Sequence, residues 1–304
     1  MRLRLLAGLA LLGLVAWVGT NAFLGSPRRA GAQTATVEIR RAQRAGYLPR
    51  PSADRLIVVL AIGSDARPGE RVDRLRADSI HLIAVNPRQR AGTILGFPRD
   101  SLVSIPGRGT ARINEAMVLG GPPLLARTVE NITGIRIDYW MLTSFKGFSR
   151  MVDGINGLTV RVRYPMHDRA SGSNFNPGRR RMKGGHALAF ARDRHSPRNG
   201  DFGRSENQGR LMLAALNKFT SSFDENPAAM FRWIRVGLRN MRTDLSLGEI
   251  IDLGLLAAQM NPGKVRNVVA PGSVGMAGSA SVVHLSGSAR RIYRDIRDDG
   301  ILGR

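Results

Sequence analysis

The segment Leu56-Ile57-Val58-Val59-Leu60-Ala61-Ile62 is apolar at every position and stops at Gly63. A strand with one wet face alternates apolar and polar residues, so a seven-residue run without alternation is the mark of a strand buried on both faces. Such a strand needs a covering layer on each side. Strands are also expected at 80–85, stopped by Asn86-Pro87, at 93–97, stopped by Pro98, and at 138–143, 158–162, 265–270 and 282–285. Helical spacing predicts helices at 113–119, 122–132, 145–152, 204–223, 228–241, 247–260 and 289–298, with Gly120-Gly121 separating the first two. Ser246 followed by Glu249 is a capping box that marks one of these starts. Strands and helices interleave, so the class is α/β, with a buried central sheet covered on both faces. The sequence has no internal repeat and no second domain boundary after residue 55.

Ahead of the domain, Leu5 to Pro27 carries no charge and follows Arg2 and Arg4. About 20 apolar residues as a helix cross a ~30 Å hydrocarbon core. The expected organisation is a transmembrane signal anchor at 1–27, a linker at 28–54 rich in Ala, Arg, Gly and Pro, and an α/β domain at 55–304. Ala30-Gly31-Ala32 has the shape of a signal-peptidase site, but the length of the run and the intervening Arg28-Arg29 favour an uncleaved anchor. The arginines after the span outnumber those before it, so the positive-inside count leaves the orientation open.

The chain has no cysteine, which removes disulfides, zinc–thiolate sites, iron–sulfur clusters and thiol catalysis. Its formal net charge is +23, and only four of the 46 basic residues are lysine. Such a field attracts polyanions, and arginine grips phosphate bidentately where lysine does not. Nucleic acid is disfavoured as a partner. A membrane span precedes the domain, aromatics are only 6% of residues, and no base-reading motif is present.

Four clusters could carry chemistry. Gly63-Ser64-Asp65-Ala66-Arg67 follows the first strand, and Arg76-Ala77-Asp78-Ser79 precedes the second. Ligands of α/β proteins bind in loops at strand ends, and two carboxylates there suit a hard cation such as Mg²⁺. Phe97-Pro98-Arg99-Asp100 ends the third strand. Phe190-Ala191-Arg192-Asp193-Arg194 leads to Asp201, Arg204 and Gln208. Arg204 and Gln208 share a helix face, and an extended segment would place Arg192 and Arg194 on one face.

In this order the clusters resemble the LytR–CpsA–Psr family. So do Arg112-Ile113-Asn114-Glu115-Ala116 with Gly120-Gly121, the segment Val152 to Val160, Gly184 to Arg194, and Thr243-Asp244-Leu245-Ser246. The resemblance covers about 56–260. It implies a three-layer α/β/α sandwich with a central mixed sheet, an apolar pocket for a polyprenyl tail, and a domain on the outer face of the bacterial cytoplasmic membrane. The implied activity is a Mg²⁺-dependent phosphotransferase. It moves a glycopolymer from a polyprenyl diphosphate carrier to a peptidoglycan hydroxyl, with diphosphatase as a side activity.

The resemblance makes Asp65 and Asp78 the metal site. It assigns Arg67, Arg76, Arg99, Arg192, Arg194, Arg204 and Gln208 to the diphosphate, with Arg99, Asp100 and Arg204 at the catalytic centre. Asp100 holds Arg99 in place in this reading, or acts as base. The chain departs from the family pattern at three positions: Gly96 where serine is usual, Arg112 for lysine, and Asn207 for a basic residue. Arg179-Arg180-Arg181 is either charge at the pocket rim or a solvated loop. The alternative reading is a non-catalytic envelope or regulatory protein of transcriptional-attenuator type that binds anionic polymer in the same basic cleft.

Overall fold

The computed structural model describes residues 55–303 apart from Pro68 and Arg198. The expected anchor at 1–27 and linker at 28–54 lie outside the described residues. Among the described residues no helix is long and apolar enough to cross a membrane.

Strand β1 (Ile57–Ser64) contains the apolar run. It is followed by a 3₁₀ turn (Val72–Arg74), β2 (Ala77–Asn86) and β3 (Ala91–Gly96). A hairpin of β4 (Leu102–Ile105) and β5 (Gly109–Arg112) leads into α1 (Glu115–Thr133), β6 (Tyr139–Ser144), α2 (Phe145–Gly154) and β7 (Leu158–Val162). Then come β8 (Met166–Asp168), β9 (Ser173–Phe175), β10 (Gly178–Met182), α3 (Gly184–Arg192) and the long α4 (Asp201–Glu225). The remainder is α5 (Ala229–Asn240), β11 (Met241–Thr243), α6 (Leu247–Gln259), β12 (Val265–Val269), the hairpin of β13 (Gly272–Ala277) and β14 (Ala280–Leu285), and α7 (Ala289–Asp299).

The main sheet has six strands in the order β11-β6-β1-β2-β3-β12. The β1–β6 and β3–β12 pairs are parallel and the others antiparallel, so the sheet is mixed. Both faces are covered, as the apolar run requires. Val58, Leu60 and Ile62 pack in one core with Met117, Leu125 and Val129 of α1 and with Tyr293 and Ile296 of α7. Ile57 and Val59 pack in another with Leu245 and with Ile250 and Leu253 of α6. Full burial of a Leu or Ile contributes roughly 1.5–3 kcal/mol, and Leu60, Ile80, Leu82 and Leu95 are all fully buried. A third apolar cluster lies outside the sheet, between α2, α3, α4 and β7.

The expected 113–119 and 122–132 segments form one helix with a kink. Gly121 has φ +67° and ψ −165°, a conformation open to glycine, and Pro122-Pro123 follow it. The expected helix at 204–223 starts earlier, at Asp201, which puts an acid in its first turn. The hairpins β4–β5 and β8–β9 were not legible, because runs of three or four residues are too short to display a period. Arg179-Arg180-Arg181 is solvated, but as a strand rather than a loop: it lies in β10, where Arg179 faces Arg161 of β7 across the ladder.

Candidate functional site

The strand directions set where the site can lie. β1, β6, β3 and β12 run the same way, so their C-terminal ends meet at one edge of the sheet. Asp65 follows β1 at that edge and Arg99 follows β3 by three residues. Asp78 reaches the same edge from the start of β2. Gly63 pairs with Ser79 but Ser64 pairs with Ala77, so Asp78 is a bulge residue without a cross-strand partner. A bulge of this kind re-aims a side chain. The carboxyl of Asp65 is held above its ordinary value, first by partial burial and then by the negative charge of Asp78. The two acids are thus close enough to repel, a donor set that fits one hard cation completed by phosphate and water. Among the described residues, no group of three or more His, Cys, Asp or Glu residues could hold a metal by itself.

Arg99 is the hub. Its Nη1 donates to Asp78 Oδ1 at 2.5 Å, and its Nε lies 3.7 Å from Asp100 Oδ2. Asp100 also lies 3.8 Å from Arg112 Nε, and Arg112 donates to the Ser281 carbonyl at 2.8 Å. Asp100 does not line the cavity described below; it braces Arg99 from behind. The backbone N–H of Arg99 donates to Asp201 Oδ2 at 2.9 Å, while Asp201 Oδ1 pairs with Arg204. Arg204 is only 6% exposed, and burial pulls its guanidinium below its ordinary value. Gln208 Nε2 donates to the carbonyl of Ala191 at 3.1 Å and lies 3.4 Å from that of Asp78, so it ties α4 to both α3 and β2.

A cavity of about 640 Å³ opens beside this network. Its head carries Asp78, Arg99, Arg192, Arg194, Arg204 and Gln208. Its body is apolar, with Phe148, Ile155, Leu158, Leu211, Trp233 and Val236 among the walls. Arg192, the last residue of α3, lies over the ring of Phe145 at 5.1 Å, a cation–π contact that fixes its direction. Arg194 follows after the extended Asp193.

Six of the ten residues assigned from the sequence therefore meet at the head of the cavity. Asp65 lies beside Asp78 but is exposed, and like Arg67, Arg76 and Asp100 it does not line the cavity.

The three departures from the family pattern have structural counterparts. A Cβ at Gly96 would stand 2.2 Å from Ser205 Oγ and 2.9 Å from His81 Nε2. That space is taken by fully buried His81, whose Nε2 donates to the Ser205 carbonyl at 3.0 Å and whose Nδ1 is 3.1 Å from Ser79 Oγ. Burial pushes His81 down to about 4, so it stays neutral. Asn207 is fully buried; its amide donates to Tyr164 Oη at 3.1 Å and accepts from Arg210 at 3.2 Å. Arg112 acts through Asp100, as above. The residue that sequence reasoning named without giving it a role is Asp201. Its signal was the i,i+3 spacing to Arg204 at a helix start.

The sequence matches the LytR_cpsA_psr family over residues 28–292. An Enterococcus faecalis protein named polyisoprenyl-teichoic acid–peptidoglycan teichoic acid transferase TagU is 31% identical over 199 residues, 65% of this chain and 64% of that protein. Probable cell wall biosynthesis protein LcpB of Corynebacterium glutamicum is 35% identical over 174 residues, 53% of this chain and 42% of that protein. The chain thus spans less than two thirds of either relative's length. The crystal structure of B. subtilis TagV superposes with a TM-score of 0.70 at 23% identity, covering 82% of this chain and 98% of that one, which is a likeness of fold. With its motifs in order and its mixed sheet shared, the chain belongs to the LytR_cpsA_psr family.

Proposed function

We propose that this protein is a Mg²⁺-dependent phosphotransferase that moves a glycopolymer from a polyprenyl diphosphate carrier to a hydroxyl of peptidoglycan. The observation that carries the reading is one cavity with an apolar body and a head of four arginines beside Asp78. A prenyl diphosphate has the same division: a long hydrocarbon and a compact, highly charged head. The name of the Enterococcus relative joins the same carrier type to the same acceptor. The uncharged run from Leu5 to Pro27 supports a membrane anchor, with the domain on the outer side, where peptidoglycan lies.

The chain's own residues account for most of the chemistry. Apolar walls hold the prenyl chain and keep water from the head. Arg99 and Arg204 are each fixed by an acid, so their guanidinium forks are already oriented when the phosphates arrive. Arg192 and Arg194 close over the phosphates from the α3 side. The acceptor hydroxyl attacks the phosphorus that bears the polymer. The bond from that phosphorus to the bridging oxygen breaks, and prenyl phosphate leaves. Negative charge grows on the transferring and leaving oxygens, which the arginines stabilise without reorganising. Asp65 and Asp78 would hold the metal, Asp78 through the oxygen that Arg99 leaves free. When bound there, Mg²⁺ supplies further neutralisation of the diphosphate charge.

The test is turnover of a prenyl diphosphate by Arg99→Lys and Arg204→Lys, with binding of anionic polymer followed in parallel. Lysine preserves the +23 charge and removes the planar fork. A phosphotransferase loses turnover in both variants. A binder that relies on the overall field keeps its polymer affinity and follows salt concentration instead. Wild-type turnover in both variants overturns the converging clamp and favours the non-catalytic reading.

A further inference from the structure

The cavity that holds the clamp is also lined by a pair of residues that the clamp does not use. His195 Nδ1 lies 3.0 Å from Asp168 Oδ1, and both residues line the cavity that also holds Arg192, Arg194 and Arg204. Asp168 ends β8, and its side chain is only 4% exposed, while that of His195 is 57% exposed. A carboxylate cannot donate, so the imidazole donates from Nδ1 and carries its lone pair on Nε2. Asp168 Oδ1 also accepts from the Ala170 N–H at 2.9 Å, but Oδ2 is buried with no partner. A buried carboxylate with an orphan oxygen gains when the imidazole beside it becomes a cation.

The fold around the pair is held without the imidazole. Asp193 Oδ1 accepts from the backbone N–H groups of His195 and Ser196, and Ser173 Oγ donates to Asp193 Oδ2 at 2.5 Å. The β8–β9 turn is closed by Gly172 donating to the Asp168 carbonyl and by Ala170. The His195 ring is therefore free to act on what enters the cavity.

We infer that His195, oriented by Asp168, is the general base that takes the proton of the attacking hydroxyl. This rests on the phosphotransferase reading above. As the acceptor oxygen forms its bond to phosphorus, its proton passes to His195 Nε2. The bond from phosphorus to the bridging oxygen breaks with its electron pair, which leaves on prenyl phosphate. The imidazolium, paired with Asp168, then gives the proton up to solvent, and prenyl phosphate leaves as the anion. When water replaces the acceptor, the same base serves hydrolysis.

The test uses the full-length protein in detergent with Mg²⁺ and a short-chain prenyl diphosphate, with release of inorganic phosphate followed. General-base catalysis contributes typically 10²–10⁴-fold. His195→Ala and His195→Gln should lower kcat by about that range, with KM within about twofold; thermal stability should fall in His195→Ala, which strips a hydrogen bond from the buried Asp168 carboxylate, and much less in His195→Gln, whose amide can still donate to it. Free imidazole should restore part of kcat to His195→Ala, where the space stands open, and not to His195→Gln, where it is filled. His167→Ala on the same hairpin, outside the cavity, should behave as wild type. Wild-type kcat in His195→Ala overturns the proposal. So does a loss that imidazole leaves untouched, because that result assigns His195 to positioning. A wild-type protein that turns over no prenyl diphosphate overturns the phosphotransferase reading, and this proposal with it.

Discussion

Asp201→Asn separates charge from shape at the centre of the site. Asparagine keeps an oxygen for the Arg99 N–H and a similar volume, but it removes the negative partner of Arg204. Arg204 is 6% exposed, and the Asp201 side chain is 16% exposed. Breaking a buried ion pair by removing one partner costs roughly 3–5 kcal/mol, because the remaining charge is left uncompensated. Residual access of water to Asp201 places the expected cost near the lower end, about 3 kcal/mol. For a domain of this size that lowers Tm by roughly 6–12 °C. The measurement is a double-mutant cycle with Arg204→Met, using urea unfolding of wild type, both single variants and the double variant. A buried pair replaced as a unit by apolar or neutral groups is often near neutral. The double variant should therefore be more stable than the sum of the single losses by at least about 1.5 kcal/mol. A cost below about 1 kcal/mol for Asp201→Asn, or strict additivity in the cycle, would refute the argument that Asp201 holds Arg204 in a water-poor site.

Gly96→Ser, which restores the residue usual in the family, should destabilise this chain by about 1–3 kcal/mol through overpacking against Ser205 and His81; paired with Ser205→Gly it should recover, and thermal unfolding reads both. Val236→Trp places a large ring in the apolar wall, so KM for long prenyl diphosphates should rise several-fold more than KM for short ones; equal effects would place the hydrocarbon elsewhere. Burial raises the Asp244 carboxyl to about 6 from its ordinary 3.8, while its oxygen accepts from the Trp140 N–H. The folded chain thus holds a proton that the unfolded chain has lost, so wild-type stability falls as pH rises from about 4 to 6 and then levels. Asp244→Asn removes that loss, and its stability relative to wild type should climb across the same window and plateau above it. Asp78→Asn should abolish the response of prenyl diphosphate turnover to Mg²⁺ titration; an unchanged Mg²⁺ response removes Asp78 from the metal site.

What the sequence determined by itself was local in origin. An apolar run without alternation demanded a strand covered on both faces, and β1 has that cover from α1 and α7 on one side and α6 on the other. Acids and an arginine beside strand ends marked one edge of the sheet as the candidate site, and Asp65, Asp78 and Arg99 lie together at that edge. The Ser246–Glu249 capping box formed as written. These features depend on periodicity and on residues close in the chain, which a sequence displays directly.

The tertiary structure decided what depends on distant segments. Asp201 reads as one more acid at a helix start until the fold sets it against the Arg99 backbone, 102 residues away. Arg67 and Arg76 belong to the same motifs as Asp65 and Asp78, yet the bulge at Asp78 turns the acid toward the site while both arginines stay in solvent. Gly96 registers as a missing serine in sequence and as a filled space in the structure, because His81 and Ser205 arrive from β2 and α4. The cavity itself is assembled from β1, β6, α2, α3, α4 and α5 with shorter contributions from β2, β7 and β11, none of which carries a pocket-like pattern alone. Apolar residues at helical spacing state that a face is buried, but only the packing of several separate elements decides whether they meet one another or leave room for a hydrocarbon chain between them.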